Sequence, residues 1–319
     1  MWLKVRMYLL VVVLFGILYG VIVGVGTWLG IGGVIPYLIL AVVFMGIQYL
    51  VGPALVAWTM KVKWVTEKEA PELHQMVTEL AKEANLPKPR VGISEINVPN
   101  AFVFGRTQHD GRVCVTRGIL NILNKDELKA VLGHEMSHLK HRDMAIITLL
   151  SAIPMVLYYL AFSLMWGGAG NRRQGSYGAV IGIGAFVLYF LTNFLVLYGS
   201  RIREYYADAG SVQLGNQPHQ LASALYKLTL NDARNKNKAE LKKVGAVKAF
   251  FINDPSRAWY EVQELSQIDR GMKGIISYDD LADLRQKQVH LNFGQRLGEL
   301  FTTHPNMLKR VKQLSTYIT

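Results

Sequence analysis

His134 and His138 stand four residues apart, with Glu135 beside the first of them. Side chains at i and i+4 share one face of an α-helix, so both imidazoles can aim at one divalent cation while the neighbouring carboxylate sits beside an open coordination position. A zinc ion held this way polarises a carbonyl and its bound water, and a carboxylate at that place accepts the water proton. The pattern is one of hydrolytic chemistry, with one Zn2+ per chain. Its rival is a plain helix end carrying two solvated histidines, but the uncharged neighbours Leu132, Gly133 and Leu139 suit a buried metal helix better.

Two histidines leave such a site one protein ligand short. The longer pattern with a third histidine on the same segment fails, because His141 stands where it needs Gly and Met144 where it needs His. A single cysteine, Cys114, excludes a Cys-based zinc ribbon, an iron–sulfur cluster and a disulfide framework. The missing ligand is therefore a carboxylate. Arg203 to Asp208 offers two, Glu204 and Asp208, again at i and i+4, enough for one ligand and one acceptor behind a ligand imidazole.

Which elements could bring these residues together? Asn124 is suited to cap a helix with Asp126 and Glu127 in its first turn, and that helix carries Leu128 to His138. Four uncharged stretches are long enough to span a bilayer: Met7 to Leu29, Val34 to Trp58, Met144 to Trp166 and Tyr177 to Gly199. The first two read as a hairpin turned by Gly30, Gly32, Gly33 and Pro36, and the last two as a hairpin joined by a Gly-rich loop with Arg172 and Arg173. A secretory signal peptide does not fit the first stretch, which greatly exceeds an apolar core of about 7 to 15 residues. Gly16, Gly20 and Gly24 mark a face of it where helices can approach closely. His138 precedes Met144 by six residues and Glu204 follows Gly199 by five, so a hairpin between them leaves both about 8 Å from the membrane on one side. A single crossing would separate them.

Composition agrees with a membrane chain: 51% hydrophobic and 18% charged residues do not describe a water-soluble surface. The net charge of +12 could suit nucleic acid, but no basic stripe interleaved with stacking aromatics is present, so no nucleic-acid partner is expected. The excess is explained by the bilayer itself, since Lys4, Arg6, Lys61, Lys63, Lys140, Arg142, Arg201 and Arg203 fall on one side and Arg172 and Arg173 on the other. The eight-to-two bias makes the catalytic side cytoplasmic, in a multi-pass protein of the cell membrane. The expected fold is a mainly α integral membrane protein with four transmembrane helices. Hairpins at 1–59 and 144–199 flank an α+β catalytic domain split into 60–143, with the HExxH helix, and 200–319, with the third ligand.

The string Leu132-Gly133-His134-Glu135-Met136-Ser137-His138, followed by Ser200-Arg201-Ile202-Arg203-Glu204-Tyr205-Tyr206-Ala207-Asp208, resembles the HtpX family of membrane-bound zinc metalloproteases. Asn100-Ala101-Phe102 before the metal helix and Thr303-His304-Pro305 near the C-terminus extend the likeness over most of the chain. The resemblance implies a gluzincin-like, membrane-anchored endopeptidase that faces the cytoplasm and cleaves damaged or misassembled membrane proteins and unfolded chains. It implies His134, His138 and Glu204 as zinc ligands and Glu135 as general base, with Asp208 behind them. Residues 236–292 carry no motif of the family.

Asn100 to Gly105 reads as a strand, with Gln108 to Gly111 turning into a second strand, Arg112 to Thr116. A strand just before a zinc helix can serve as the edge on which an extended substrate is laid, which places Asn100, Ala101 and Phe102 at the substrate. His304 is either part of a helix start or, as the resemblance implies, a donor to the tetrahedral oxyanion. Arg203, beside a ligand, could stabilise developing negative charge, although an arginine flanking a membrane span is commonplace. His74, His109, His219 and His290 carry no partner pattern. Two other readings remain: a CAAX-type prenyl-protein endopeptidase with the same zinc logic, and a non-catalytic scaffold binding partner helices through its Gly-rich first span.

Overall fold

The computed structural model describes residues 17, 35–166, 175–234, 258–269, 274–289 and 293–318. In chain order the helices are Ile35–Thr59 (α1), Pro71–Ala84 (α2), Arg117–Ile122 (α3), Lys125–Lys140 (α4), Asp143–Trp166 (α5), Gly175–Gln213 (α6) and Pro218–Arg234 (α7). Ala258–Leu265 (α8), Tyr278–Gln286 (α9), Phe293–Glu299 (α10) and Met307–Ser315 (α11) follow. The strands are Val62–Trp64 (β1), Arg90–Ser94 (β2), Ala101–Phe104 (β3) and Arg112–Thr116 (β4). The chain divides into two compact units, one drawn from Met1–Gly52 and Ala145–Ile202, the other from Pro53–Met144 and Arg203–Thr319.

The second unit contains every residue singled out above for chemistry. Its sheet runs β1-β2-β4-β3, with β2 and β4 parallel and both outer pairs antiparallel. Ala101 pairs with Val115 and Phe104 with Arg112, which leaves β3 at the edge. The connection between β3 and β4 is more than a tight turn. Gln108–Asp110 forms a 3-10 turn capped by Thr107, and Gly105 adopts φ +152, where an added Cβ would lie 2.4 Å from the Asp110 carbonyl oxygen.

One side of this sheet meets a core that includes Val77 and Leu80 of α2, Val131, Leu132 and Met136 of α4, Leu225 and Leu228 of α7, and Val311 and Leu314 of α11. Phe102 and Phe104 belong to a separate cluster with Met60 and Cys114. The period-2 alternation of β3 thus sends Ala101 and Val103 to one cluster and Phe102 and Phe104 to the other. The start of α4 is fastened by a capping box: the Glu127 N–H donates to Asn124 Oδ1 at 2.8 Å, and the Asn124 N–H donates to Glu127 Oε2 at 3.0 Å.

In the first unit, Leu150, Ile153 and Leu157 of α5 and Val196 of α6 form one buried apolar cluster. Val180, Ile183, Val187 and Leu191 of α6 are exposed, at the three- and four-residue spacing of one helix face. Such a face is disfavoured in water and natural in lipid. Among the described residues one helix, Val180–Gln213, is long and apolar enough to cross a membrane by length and composition. The expected second, third and fourth spans coincide with α1, α5 and the first part of α6. The expected first span with Gly16, Gly20 and Gly24, the loop of Arg172 and Arg173, and His290 lie outside the described residues.

Candidate active site

Helix α4 places His134, Glu135 and His138 at the inner surface of the second unit, with His134 and Glu135 buried. Their outer nitrogens are spoken for. His134 Nδ1 lies 2.9 Å from Asp208 Oδ1 and His138 Nδ1 lies 2.7 Å from Asp143 Oδ2. A carboxylate only accepts, so each Nδ1 is the donor in these contacts, and Nε2 is the nitrogen that each ring turns toward the other. These two Nε2 atoms stand 3.1 Å apart, and Glu204 oxygens lie 3.6 Å from the first and 3.5 Å from the second. Two imidazole nitrogens and a carboxylate gathered within 4.8 Å of one another form a donor set that one cation can bridge. Two ligands of a tetrahedral zinc at about 2.0–2.1 Å stand roughly 3.3 Å apart, so the donor set fits that ion.

Electrostatics prepares the ligands. Burial pushes His134 below its ordinary pKa despite its bond to Asp208, which keeps the ring neutral and able to coordinate. Burial alone would raise Glu204, but the charges of His304 and Arg310 and the bond from His138 outweigh it and hold the carboxyl well below the usual range. Arg310 is fully buried and donates through Nε and Nη2 to Asp208 at 2.9 and 2.6 Å, while its Nη1 lies 3.1 Å from Glu204 Oε2. One guanidinium thus bridges the carboxylate beside the metal position and the carboxylate behind His134.

Glu135 is the exception among the acids. Burial pushes its pKa up to about 8, reinforced by the Glu204 charge, while His138 and a hydrogen bond from the backbone of Val103 pull it down. That backbone bond ties the carboxyl to edge strand β3. Asn100 is buried just before β3, where its N–H donates to Thr116 Oγ1 at 2.8 Å and its carbonyl accepts from the Thr116 N–H at 2.9 Å. Ala101 and Phe102 are buried as well, so what the strand can offer an extended chain is backbone.

His304 reaches the site from the segment before α11: its Nε2 lies 3.8 Å from Glu204 Oε1, and its Nδ1 is 2.9 Å from Thr303 Oγ1. Arg203 is turned elsewhere. Its guanidinium pairs with Asp143 Oδ1 and lies 3.4 Å from the His141 carbonyl oxygen, so it stands behind the carboxylate that orients His138. Asp143 and Arg310 are the two site residues that sequence reasoning missed. Asp143 reaches back only because Arg142 takes a left-handed φ of 57, a turn that helical periodicity does not show. Arg310 did leave a signal: it shares a buried helical face with Met307, Val311 and Leu314, where a cation is out of place unless it meets anions.

The segments that carry His134, His138 and Glu204 approach closely at two glycines. A Cβ on Gly133 would lie 2.3 Å from Asn216 Nδ2, and one on Gly210 would lie 2.0 Å from Ser137 Oγ. Ser211 Oγ donates to the Ala130 carbonyl at 2.6 Å beside them. This close approach of α4 to the end of α6 is what brings Glu204 within reach of both imidazoles.

The chain is similar to known proteins. The family model described as Peptidase family M48 matches residues 67–318. A protein named Protease HtpX homolog from Methanothermobacter thermautotrophicus is 53% identical over 228 residues, covering 72% of this chain and 86% of its own. Another of that name from Aeropyrum pernix is 32% identical over 313 residues, 93% of this chain and 92% of its own. Among solved structures, the crystal structure of S. mikatae Ste24p superposes with a TM-score of 0.51 at 16% identity, over 98% of this chain and 65% of that one, a likeness of fold.

Proposed function

Starting from the fact that this chain belongs to peptidase family M48, as an HtpX-like membrane metalloprotease, we propose that it is a zinc endopeptidase that clears damaged or misfolded membrane proteins at the cytoplasmic face. The observation that carries the zinc reading is the convergence of two imidazole Nε2 atoms and the Glu204 carboxylate on one point, with a second carboxyl, Glu135, buried beside it. His134, His138 and Glu204 hold the ion. When bound, zinc supplies Lewis-acid polarisation of the scissile carbonyl and acidifies the attacking water.

The remaining work falls to the chain. Glu135 takes a proton from the attacking water and returns it to the leaving amine. The backbone of β3, from Ala101 through Val103, lays out an extended substrate next to Glu135, so affinity depends little on sequence, as clearance of varied clients requires. His304 donates to the oxyanion from the far side of Glu204. Asp208 and Asp143 fix the two imidazoles, Arg310 neutralises the acids behind them, and Arg203 does the same for Asp143. The orientation rests on the eight-to-two distribution of basic residues. The relatives' names favour this reading over a prenyl-protein peptidase.

The test is Glu135→Gln in the purified full-length protein. Zinc content stays at one per chain, while cleavage of casein or of a membrane-protein substrate falls by roughly 10²- to 10⁴-fold, the range for removing a positioned acid–base group. Wild-type cleavage rates in the zinc-replete variant would refute the mechanism, and a wild-type protein that holds no zinc would refute the metal assignment.

A further inference from the structure

A cavity of about 610 Å³ opens on the second unit, lined among others by Tyr205 of α6, Arg285 and Lys287 at the end of α9, and Lys309, Lys312 and Gln313 of α11. No Asp or Glu lines it. Two of the four cations are held by backbone carbonyls. Lys312 Nζ donates to the carbonyl oxygens of Leu284, Arg285 and Lys287 at 2.8, 2.9 and 2.7 Å, and Arg285 Nη1 donates to the Ile318 carbonyl at 2.8 Å. Carbonyls fix these side chains in place without cancelling their charge, apart from the partial negative end of α9. Lys309 meets an acid, Glu299, which is not part of the lining. Four cations therefore converge on a concave surface that no carboxylate among the described residues lines, an arrangement whose self-repulsion an anion would relieve.

Its place in the chain gives the cavity a consequence. Tyr205 directly follows Glu204, and Lys309 directly precedes Arg310, so the helices that hold the metal ligand and its guanidinium partner also carry the cavity wall. Tyr205 is also only six residues past Gly199, where the uncharged stretch of α6 ends, or about 9 Å along the helix.

We propose that this cavity binds a phosphate-bearing anion, which ties α9 and α11 to the end of α6. A phosphate offers several acceptor oxygens and up to two charges to the four cations and the side-chain amide of Gln313, more than the two oxygens of a carboxylate can use. The phosphate belongs to an anionic lipid headgroup or to a free phosphoryl compound. The short distance along α6 from the end of its uncharged stretch favours the headgroup.

Full-length zinc-loaded protein in phosphatidylcholine nanodiscs provides the baseline unfolding temperature. Nanodiscs containing phosphatidylglycerol, or millimolar inorganic phosphate added to phosphatidylcholine discs, raise it by about 5 °C, as a saturating ligand of the folded state does. Lys287→Gln and Lys309→Gln each remove most of that rise, whereas Lys82→Gln, which removes one exposed charge elsewhere, leaves it intact. A response to phosphatidylglycerol alone identifies a lipid headgroup, and an equal response to inorganic phosphate identifies the free anion. No rise with either, or a rise that both cavity variants retain, overturns the proposal. So does a rise produced only by a peptide with a free C-terminal carboxylate.

Discussion

Arg310 holds Asp208 by both oxygens, with Nε on Oδ2 and Nη2 on Oδ1, while the same Oδ1 accepts from His134 Nδ1. The guanidinium therefore sets the orientation of the His134 ring, which it reaches mainly through another residue. Arg310→Leu leaves two buried carboxylates short of their cation, and a loss of roughly 3 to 5 kcal/mol is expected, with zinc released. Arg310→Lys keeps a charge without the fork and loses less. Thermal unfolding together with metal analysis measures both; a Leu variant as stable and as zinc-rich as wild type would show that Asp208 is oriented by other means.

Asp143 and Asp208 stand in equivalent relations to the two histidines, each accepting from an Nδ1. Asp143→Asn and Asp208→Asn are each expected to weaken zinc binding by about 10- to 100-fold, because an amide presented by its nitrogen cannot accept that proton and the ring loses its tautomer. Competition with a zinc chelator reads this out. If only one of the two variants changed, the other aspartate would have no part in the metal site.

Gly210 has no room for a methyl group, since Ser137 Oγ would lie 2.0 Å from its Cβ. Gly210→Ala should separate α4 from the end of α6 and cost about 1 to 3 kcal/mol, the range for overpacking a filled interface. Activity and zinc content fall with it. Adding Ser137→Gly to the same chain makes space on the opposite side and should restore part of both, which a double-mutant comparison of unfolding temperatures tests. A double variant no better than Gly210→Ala would place the damage elsewhere.

Cys114 is completely buried on β4 among Phe102, Phe104 and Met60, and burial pushes its thiol pKa up. It should resist maleimides and Ellman's reagent in the folded protein and react on unfolding. This silence makes a topology experiment clean. A cysteine introduced at Arg172 should be labelled only from the side opposite to a reporter fused after Thr319. Labelling of both from one side would reverse the orientation argued from the basic residues.

The cluster of candidate ligands and its acceptor was legible in sequence because each half of it obeys a helical period: His134 with His138, and Glu204 with Asp208. The cap at Asn124 and the strands at 101–104 and 112–116 were legible for the same reason, since local hydrogen bonding and alternation write themselves into neighbouring residues. What escaped were relations across a break in period or across the fold. Asp143 serves His138 over the left-handed turn at Arg142. Arg310 meets Asp208 from 102 residues away, and only its intrusion into the apolar face of α11 hinted that a buried anion awaited it. Arg203 sits beside a ligand in sequence, yet helix geometry sends it to Asp143, because adjacent residues on a helix diverge by about 100°.

The order in which the chain is made follows from where the site's parts lie along it. A ribosome that has completed α5 has already produced His134, Glu135 and His138, but neither Glu204 nor Arg310. The unfinished polypeptide thus has Glu135 and two imidazoles but lacks Glu204 until α6 has been synthesised, and lacks the Arg310 guanidinium until α11 emerges. Helix α11 completes the cluster: without it Asp208 has the His134 ring but not the guanidinium that holds both of its oxygens.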